Sequence, residues 1–519
     1  MTDSIASPSA AGSAVLGPVT VGRDDPRYED LAVRHSNARW RSEPEHFVLV
    51  SSTEQVVEAV GAAVRAGRRV AVRSGGHCYE NFVSEGNAPV VIDLAELNAI
   101  GYDEERGAFV IEAGAALLDV YRRLFFGWGV TIPGGSCGTV AVGGHVCGGG
   151  YGAHSRQFGL TVDYLEAVEV VVADADGSVR AVVGTRDPAD PHHDLWWAHT
   201  GGGGGNFGVV TRYWFRDPAA APGTAPERLL PAPPHTVLHS QVIWPWEGMD
   251  KESLRRIVRN HGAWHERHSD PDSPYAGLYG GLVLFGREAG EDPGPAVISF
   301  AQIDGTTADA RELLQGYVDA IAEGVGARPM VLPFTESPWM ALTVKYSRLQ
   351  ETTGQRLKIK AAELRRRYPD HQVDTIHDWL TAADPGRGQV TVSFQSYGGK
   401  IREVAPEATA VVHRDSVNKV LFYSTWEDPE LDKTALEHLR HFYRAVYAET
   451  GGVPVPDETH NGAFVNFPDS DLADPAWNTS DTPWYELYYG ANYPRLQRTK
   501  AAWDPRDVFW HSLSVRPAR

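Results

Sequence analysis

The sequence predicts a protein of the α+β class with two large folding units, and three observations support this prediction. Segments with helical and with strand-like hydrophobic periodicity alternate over the first 215 residues. Residues 217–234 contain six prolines and a cluster of alanines, which is the composition of a linker. Beyond the linker, residues 237–449 alternate helices with long strand-like runs, a pattern typical of an antiparallel sheet with helices on one face.

The first unit begins with a helix whose two ends are marked by sequence signals. Ser52 and Gln55 match a capping box, in which each side chain satisfies a free backbone N–H group. Val56 and Val60 share one helical face, and Gly67 suits the C-terminal cap. The other elements predicted in this unit are strands over residues 69–73, 90–94, 108–113, 165–173 and 209–215 and a helix over residues 115–126.

The second unit is predicted from alternating apolar runs and amphipathic stretches. Its predicted strands cover residues 282–285, 390–397 and 419–426. Its predicted helices cover residues 355–368 and 433–450. The chain therefore divides into a disordered tail over residues 1–25, a first unit over 26–216, a second unit over 235–460 and a C-terminal segment over 461–519.

Charge and composition exclude several classes of partner. The 519 residues include 48 basic and 67 acidic side chains, a net charge of −19, which argues against nucleic acid and against an anionic membrane surface. There is no apolar run of about 18 residues, and the N-terminus lacks the basic start and apolar core of a secretory signal. Three cysteines do not make a disulfide framework in a chain of this length, so we expect a cytoplasmic protein.

Three glycine clusters are the most informative local feature, and they cover residues 73–77, 134–152 and 201–208. Glycine lets a backbone approach a ligand closely and adopt positive φ, so such loops can direct N–H groups at a pyrophosphate. Residues 203–208 also fit the dinucleotide fingerprint G-x-G-x-x-G, but a strand-like run follows them where that motif needs a helix. We therefore reject a Rossmann site.

Two other chemical interpretations are weaker. Residues 134–138 fit G-x-S-x-G, which would make Ser136 the nucleophile of a serine hydrolase. That motif must lead directly into a helix, and residues 138–152 contain seven glycines. His192, His193 and Asp194 suggest a metal, but no further ligands are visible and adjacent histidines rarely satisfy one ion, so no metal is expected.

Several segments together resemble the berberine-bridge-enzyme branch of the vanillyl-alcohol-oxidase flavoprotein superfamily. They read RSGGH (73–77), GGSCGTVAVGGHVCGGGYG (134–152), GLTVDYLEAVEVV (159–171), GGGGNFGVVT (202–211) and YYGANYPRLQRTKAAWDPRDVF (488–509). The resemblance implies a two-part FAD-binding domain, built from residues 26–216 and 461–519, and a substrate domain whose sheet covers the flavin ring. A non-catalytic ligand-binding member of the same fold remains an alternative.

The resemblance also implies covalent attachment of the flavin. His77 matches the family's histidine that bonds the flavin 8α-methyl carbon, and Cys137 matches the cysteine that bonds ring carbon 6 in bicovalent members. Imidazole and thiolate are strong side-chain nucleophiles, so both residue types suit this chemistry. The other expected cofactor-binding residues are Arg73, Ser74, Gly75, Gly76, Cys78, Val142, Gly143, Gly144, His145, Gly149, Gly150, Gly152, Gly208, Val209, Tyr489 and Asn492.

The predicted function is that of an FAD-dependent oxidase. A hydride passes to the flavin from an alcohol or hemiacetal carbon of a sugar, a glycosylated compound or another bulky polyketide or peptide product, and molecular oxygen is reduced to hydrogen peroxide. The Ala-, Gly- and Arg-rich composition with few lysines is that of a high-GC bacterium, where the family often tailors secondary metabolites such as antibiotics.

The base that takes the hydroxyl proton is expected to differ from the family's usual one. The family commonly carries Tyr-x-Asn-Tyr near its C-terminus, whereas this chain has Phe464 and Phe467 at the two tyrosine positions. Phenylalanine accepts no proton, so Tyr151, at the end of the second glycine cluster, is our first choice for the catalytic base. A phenol needs its pKa lowered from about 10 by a nearby positive group. Weaker candidates are Tyr397, Tyr423 and His460.

Overall fold

The computed structural model describes residues 17–85, 88–288, 293–351, 354–382 and 386–518, and within these ranges the strands form three sheets. The first unit contains β1 Val19–Gly22, α1 Tyr28–Ala32, β2 His46–Leu49, α2 Thr53–Arg65, β3 Val70–Arg73, β4 Val90–Asp93, β5 Ile100–Asp103, β6 Ala108–Glu112, α3 Leu117–Trp128, α4 Val142–Cys147, α5 Ser155–Phe158, β7 Leu165–Ala173, β8 Val179–Thr185, α6 His193–Ala198 and β9 Val209–Phe215. Its strands form one sheet in the order β1-β2-β4-β3 and an antiparallel sheet in the order β5-β6-β9-β7-β8.

The capping signal at the start of α2 is confirmed, because the Ser52 hydroxyl accepts a hydrogen bond from the Gln55 N–H at 3.3 Å. Gln55 reaches back in turn and accepts from the N–H of Ser51, one residue before the cap. The predicted tail is wrong in its extent: residues 1–16 lie outside the described residues, but Val19–Gly22 form β1, which pairs with β2. Val21 is fully buried in a small cluster with Phe47, which is why this segment is ordered.

The second unit contains β10 Thr236–Pro245, α7 Lys251–Arg267, β11 Tyr279–Phe285, β12 Pro295–Asp304, α8 Ala310–Ala322, β13 Met330–Val331, β14 Thr335–Pro338, α9 Trp339–Leu349, β15 Arg356–Leu364, α10 Asp370–Thr381, β16 Gln389–Ser396, β17 Asn418–Trp426 and α11 Asp432–Val446. Its antiparallel sheet follows the order β13-β10-β12-β11-β16-β17-β15, with β14 also paired to β10. Helices α8 and α11 pack on one face of this sheet, and α7 and α10 pack against them. The antiparallel sheet with helices on one face is thus as predicted.

The predicted helix over residues 355–368 is wrong, because residues 356–364 form β15 and pair with β17 along their whole length. Ala361, Ala362 and Glu363 favour a helix intrinsically, but Leu357 and Ile359 alternate with lysines in the two-residue period of a strand. Both lysine side chains are buried, and their partners are carboxylates more than 100 residues away in sequence. Tertiary ion pairing therefore overrides the local helical preference.

The C-terminal segment contains α12 Trp484–Tyr489 and α13 Tyr493–Trp503, and α13 packs against α6 of the first unit. The ammonium group of Lys500 is fully buried and donates to the carbonyl oxygen of Asn206 at 2.8 Å. The end of the chain is therefore part of the first unit's structure. Among the described residues, no helix combines the length and the apolar character needed to cross a bilayer.

Candidate active site

A cavity of about 710 Å³ lies between the three glycine clusters and the open face of the large antiparallel sheet. We call its two sides the glycine wall (lining residues of 73–78, 135–152 and 203–210) and the sheet wall (lining residues of β11, β16 and β17). Most of the predicted cofactor residues line this cavity: Arg73, Ser74, Gly75, Gly76, His77, Cys78, Cys137, Gly143, Gly144, His145, Gly152, Gly208, Val209 and Tyr489. Segments far apart in the sequence thus meet at one site.

Helix α4 shows why the glycine wall fits a close-lying ligand. A Cβ atom at Gly143 would lie 2.8 Å from the Ala113 carbonyl oxygen and 2.9 Å from the Ser74 hydroxyl, so the backbone there is packed against the first glycine cluster. A Cβ atom at the next residue, Gly144, would meet no protein atom within 4 Å, although Gly144 lines the cavity. The wall therefore leaves a side chain's volume empty beside a backbone that a cofactor can approach.

The third glycine cluster is held in place by the end of the chain. Gly203 and Gly205 have φ values of 84° and 73°, which favour glycine. The side chain of Asn206 donates to the carbonyl oxygen of Gly203 at 3.1 Å and accepts from the N–H of Val515 at 3.0 Å. His511 contacts the Gly204 carbonyl at 3.2 Å through its ring nitrogen. These contacts fix the loop conformation at the cavity.

Arg73 helps to fix the first glycine cluster through a buried ion pair. Its guanidinium is fully buried and forms an ion pair with Asp93 at 2.7 Å. Asp93 also pairs with Arg34, whose guanidinium donates to the Ser74 carbonyl oxygen at 2.8 Å. The charged residue of the motif therefore holds the loop that carries Gly75 and the neighbouring histidine.

His77 and Cys137 both line the cavity and are half-buried. Burial lowers the pKa of His77, which favours the neutral imidazole with a nucleophilic lone pair. Burial raises the pKa of Cys137, so its thiol needs a base before it can act as a nucleophile. Cys78 and Cys147 also carry free thiols, and burial raises their pKa values to about 12 and about 11.

Four predicted cofactor residues do not line the cavity: Val142, Gly149, Gly150 and Asn492. The Asn492 amide donates to carbonyl oxygens of residues 406, 409 and 410 and so fixes a loop of the second unit. Gly149 and Gly150 have φ values of 115° and 68°, and a Cβ at Gly150 would lie 2.4 Å from the Thr161 hydroxyl. Their role in this structure is backbone packing behind the wall.

Tyr151 lines the cavity, and its hydroxyl donates to the carbonyl oxygen of Ser396 on β16. Burial raises its pKa well above the ordinary value, and the neighbouring Tyr279 and Tyr397 act in the same direction. The Lys419 ammonium group lies 4.9 Å from the centroid of the Tyr151 ring and is a positive group close to the phenol. Within the protein alone, the protonated phenol is therefore the favoured form.

The weaker candidates for the base lie in different places. Tyr423 lines the cavity and shares a hydrogen bond of 3.0 Å with Tyr79. Tyr397 is fully buried behind the cavity lining. His460 contacts Asp457 and Gln372 at 3.1 Å each, and it lies outside the lining.

Phe464 and Phe467, the two phenylalanines considered above, both line the cavity. The Lys419 ammonium group lies 3.3 Å from the centroid of the Phe464 ring. Lys419 forms a fully buried ion pair with Glu363 at 2.7 Å, and burial lowers its pKa to about 8. The cation is thus placed against an aromatic face, but the ring beneath it has no proton to exchange.

The resemblance implies that the sheet covers the flavin ring, but apart from Tyr423 no side chain of the sheet wall was predicted at the site. On β16, Thr391, Ser393 and Gln395 face the cavity, whereas Val392 and Phe394 point into the core. Tyr423 and Leu421 of β17 line the cavity opposite Thr391 and Ser393. The alternation of polar and apolar residues in 389–396 was the available signal, since one face of such a strand must be solvated or meet a ligand.

A buried cluster of charged side chains connects the two walls. Lys358 and Lys360 of β15 reach Asp469 and Asp471 of the C-terminal segment, with contacts of 2.7 Å from Lys358 to Asp469 and 2.9 Å from Lys360 to Asp471. Lys358 also pairs with Glu80, three residues after His77. Arg440 of α11 completes the cluster through Asp471 at 2.8 Å.

The alternative sites are not assembled. Ser136 lies in a loop, and the next helix, α4, begins six residues later, so no nucleophile elbow forms. His192 and His193 contact the backbone carbonyl oxygens of Val183 and Thr185, and Asp194 pairs with Arg495. No group of three or more metal-ligating side chains occurs in the part of the chain that the structure describes.

The chain is similar to known proteins over nearly its whole length. A family model for an FAD binding domain matches residues 44–182, and a model described as berberine and berberine-like matches residues 463–516. Aclacinomycin-N/aclacinomycin-A oxidase of Streptomyces galilaeus is 48% identical over 98% of this chain and 92% of its own length, and hexose oxidase of Chondrus crispus is 31% identical over 96% and 94%. The crystal structure of a glycopeptide hexose oxidase complexed with teicoplanin is 49% identical, has a TM-score of 0.92 and covers 98% of this chain and 100% of that one.

Proposed function

Because this chain belongs to the berberine-bridge-enzyme-like family of FAD-dependent oxidoreductases, we propose that it oxidises an alcohol or hemiacetal carbon of a sugar carried by a bulky natural product. Bound FAD supplies the acceptor for the hydride. Molecular oxygen then takes the electrons and yields hydrogen peroxide, a proposal supported by the two relatives that are named as oxidases. Antibiotic biosynthesis is the setting in which we place the reaction.

The observation that carries this proposal is the pairing of the two walls across one cavity. The glycine wall offers backbone and two nucleophilic side chains, His77 and Cys137. The opposite wall offers hydroxyl and amide groups at two-residue spacing on β16, from Thr391, Ser393 and Gln395. Such groups hydrogen-bond the hydroxyls of a sugar, while Val283 and Phe285 of β11 provide apolar contact for an aglycone.

We propose that His77 and Cys137 both bond the flavin. The neutral imidazole favoured at His77 is the form that attacks a carbon, and two attachments would hold the cofactor while a large substrate enters. Tryptic peptide 124–156 contains both Cys137 and Cys147, so the assignment needs a matched pair of variants.

Mass spectrometry of purified protein tests the attachments. We expect Cys137→Ala to leave only the histidyl link, His77→Ala to leave only the cysteinyl link, and the double variant to release its flavin on acid precipitation. Cys147→Ala is the control and should keep both links, because its thiol is buried against the Tyr213 hydroxyl. Unmodified peptide 124–156 in the wild-type protein would refute the cysteinyl link.

We propose Tyr151 as the group that takes the substrate hydroxyl proton. The Lys419 ammonium group 4.9 Å from its ring stabilises the phenolate, whereas burial opposes it, so the reactive fraction is small at neutral pH. Because the pKa of Tyr151 lies above the ordinary value, single-turnover flavin reduction should accelerate from pH 6 to about pH 8. The increase should then level off, because Lys419, with a pKa of about 8, loses the charge that stabilises the phenolate. Tyr151→Phe should lower the rate by about 100-fold and flatten this dependence. Reduction as fast as in the wild type across this range would exclude Tyr151.

A further inference from the structure

Helix α9 of the second unit contacts the loop that carries Cys137. The N–H of Gly138 donates to the Ser347 hydroxyl at 3.1 Å. Glu351 lies two residues beyond the end of α9, and its Oε2 atom accepts a hydrogen bond from the Thr139 hydroxyl at 2.6 Å. A carboxylate from the substrate unit thus contacts the residue two positions after the proposed attachment cysteine.

The single hydrogen of the Thr139 hydroxyl determines the direction of the two hydrogen bonds that this side chain makes. A threonine hydroxyl has one hydrogen, and that of Thr139 is given to the Glu351 carboxylate. The lone pairs of Thr139 Oγ1 are therefore left for Cys137, whose Sγ atom lies 3.6 Å away. The thiol is then the donor, and the three side chains form a chain from S–H through O–H to the carboxylate.

This chain supplies what Cys137 lacks. Burial and the negative charge of Glu351 both raise the pKa of the thiol, so the thiolate is scarce at neutral pH. When two protons shift along the chain, Glu351 becomes neutral as the thiolate forms, and the half-buried site gains no net charge. Because the charge is only moved, the cost of creating an isolated thiolate is avoided.

Within the described part of the chain, no hydroxyl connects either of the other two cysteines to a carboxylate. The Cys147 sulfur lies 3.1 Å from the hydroxyl of Tyr213, a phenol whose own pKa burial raises well above the ordinary value. Burial raises the pKa of Cys78 to about 12. Cys137 is therefore the cysteine of this chain that the structure connects to a carboxylate through a hydroxyl.

We propose that Glu351, acting through Thr139, accepts the thiol proton of Cys137 and so starts formation of the cysteinyl–flavin bond. The inference rests on the proposed attachment at Cys137. In the reaction the S–H bond and the flavin C6–H bond break, and a bond forms between Sγ and C6. The thiol proton goes to Glu351, the C6 proton moves to a ring nitrogen of the flavin, and the flavin gains the two electrons. The oxidant that restores the flavin is molecular oxygen, the acceptor of the proposed oxidase reaction.

A structural role for Glu351 makes a different prediction from a role in proton transfer. If its contact with Thr139 only joined the two units, its loss would lower stability and affect both flavin attachments together. If Glu351 and Thr139 move the proton, their loss slows the cysteinyl link alone. Ser347 is the matched control, because it lies four residues before Glu351, in α9, and binds the same loop through Gly138, but it is not part of the chain to the sulfur.

The test follows both attachments separately. Full-length protein is produced in a riboflavin-limited host and given FAD, and peptide masses are recorded over time. We expect Glu351→Gln and Thr139→Val to slow the cysteinyl link about 100-fold, the range for loss of a general base, with the histidyl link and the melting temperature unchanged. Thr139→Ser keeps the hydroxyl and should restore the rate, and Ser347→Ala should leave it unchanged.

Two outcomes would overturn the inference, and a third would overturn the proposed attachment at Cys137 on which the inference rests. Wild-type rates of the cysteinyl link in Glu351→Gln and Thr139→Val would exclude the proton chain, as would equal slowing of both links. If the wild-type protein itself never forms a bond at Cys137, the proposed attachment fails, and the inference falls with it for that separate reason.

Discussion

The two walls of the cavity differ in what they are made of. On the glycine wall the ligand-facing atoms are largely backbone, and neighbouring segments approach so closely that added side-chain atoms would overlap, as at Gly143. On the sheet wall they are side chains on β16 and β17, and the backbone is occupied by strand pairing. In the function that we propose, the first arrangement restricts which residues can form the cofactor site, whereas the second allows the substrate site to change one side chain at a time.

The charged cluster around Lys358 and Asp471 belongs to neither wall but joins them. It contains groups from the first unit, from β15 and from the C-terminal segment, and its lysines and carboxylates are almost fully buried. If the walls are held at a fixed spacing by this cluster, breaking it should affect the whole protein more than any change within one wall.

The largest effect is therefore expected for Asp471→Asn. The change leaves Lys360 and Arg440 without a partner that they contact at 2.9 and 2.8 Å, and breaking a buried pair from one side costs about 3 kcal/mol or more. Urea unfolding at pH 7 measures this loss in the free energy of unfolding. Asp481→Asn, an exposed change in the same segment, should alter it by less than about 0.5 kcal/mol.

The difference in the free energy of unfolding between the wild type and Asp471→Asn should depend on pH. Burial alone would raise the pKa of Asp471, but the ammonium groups of Lys358 and Lys360 more than offset it, so its pKa in the folded protein lies below the usual value. Its stabilising contribution is thus complete above about pH 4 and declines as the pH falls further. The difference between wild type and Asp471→Asn should be constant from pH 7 to 5 and shrink at pH 3.5.

An intermediate effect is expected from the neighbouring glycines of α4, which separate packing from ligand binding. Gly143→Ala places a Cβ atom against Ala113 and Ser74 and should lower the free energy of unfolding by about 2 kcal/mol. Gly144→Ala meets no protein atom, so stability should be kept or slightly raised while flavin occupancy falls. Thermal melts and the flavin-to-protein absorbance ratio measure the two effects. Equal flavin loss without destabilisation in both variants would contradict the division.

These walls also explain what could be predicted from the sequence. The glycine clusters, together with His77 and Cys137, are local sequence signals. They predict a cofactor site even when the fold is not known. The strand over residues 390–397 was predicted, and β16 is found at Gln389–Ser396, but which of its faces lines a site depends on the other strands and on where the cavity lies. β15 was mistaken for a helix because the carboxylates that accept Lys358 and Lys360 are distant in the sequence.

The smallest effect is expected on the sheet wall, where two serines of one strand face opposite ways. Ser393 lines the cavity, so Ser393→Ala should raise KM for a glycosylated substrate about fivefold, the value of one hydrogen bond, with stability unchanged. The Ser396 hydroxyl is buried and donates to the Gly280 carbonyl oxygen at 2.6 Å, so Ser396→Ala should cost stability, not KM. Steady-state kinetics and melting curves on both variants test the contrast, and a KM change in Ser396→Ala alone would reverse our assignment of the two faces.

The contacts of Asn206 with the end of the chain impose an order of events during biosynthesis. The loop over residues 203–206 is bonded by Lys500, His511 and Val515, the last of which lies 309 residues after Asn206. During translation, the glycine clusters leave the ribosome long before these three partner residues have been synthesised. The cofactor pocket therefore closes only after residue 515 has left the ribosome, and a chain truncated before residue 500 would lack all three of these contacts.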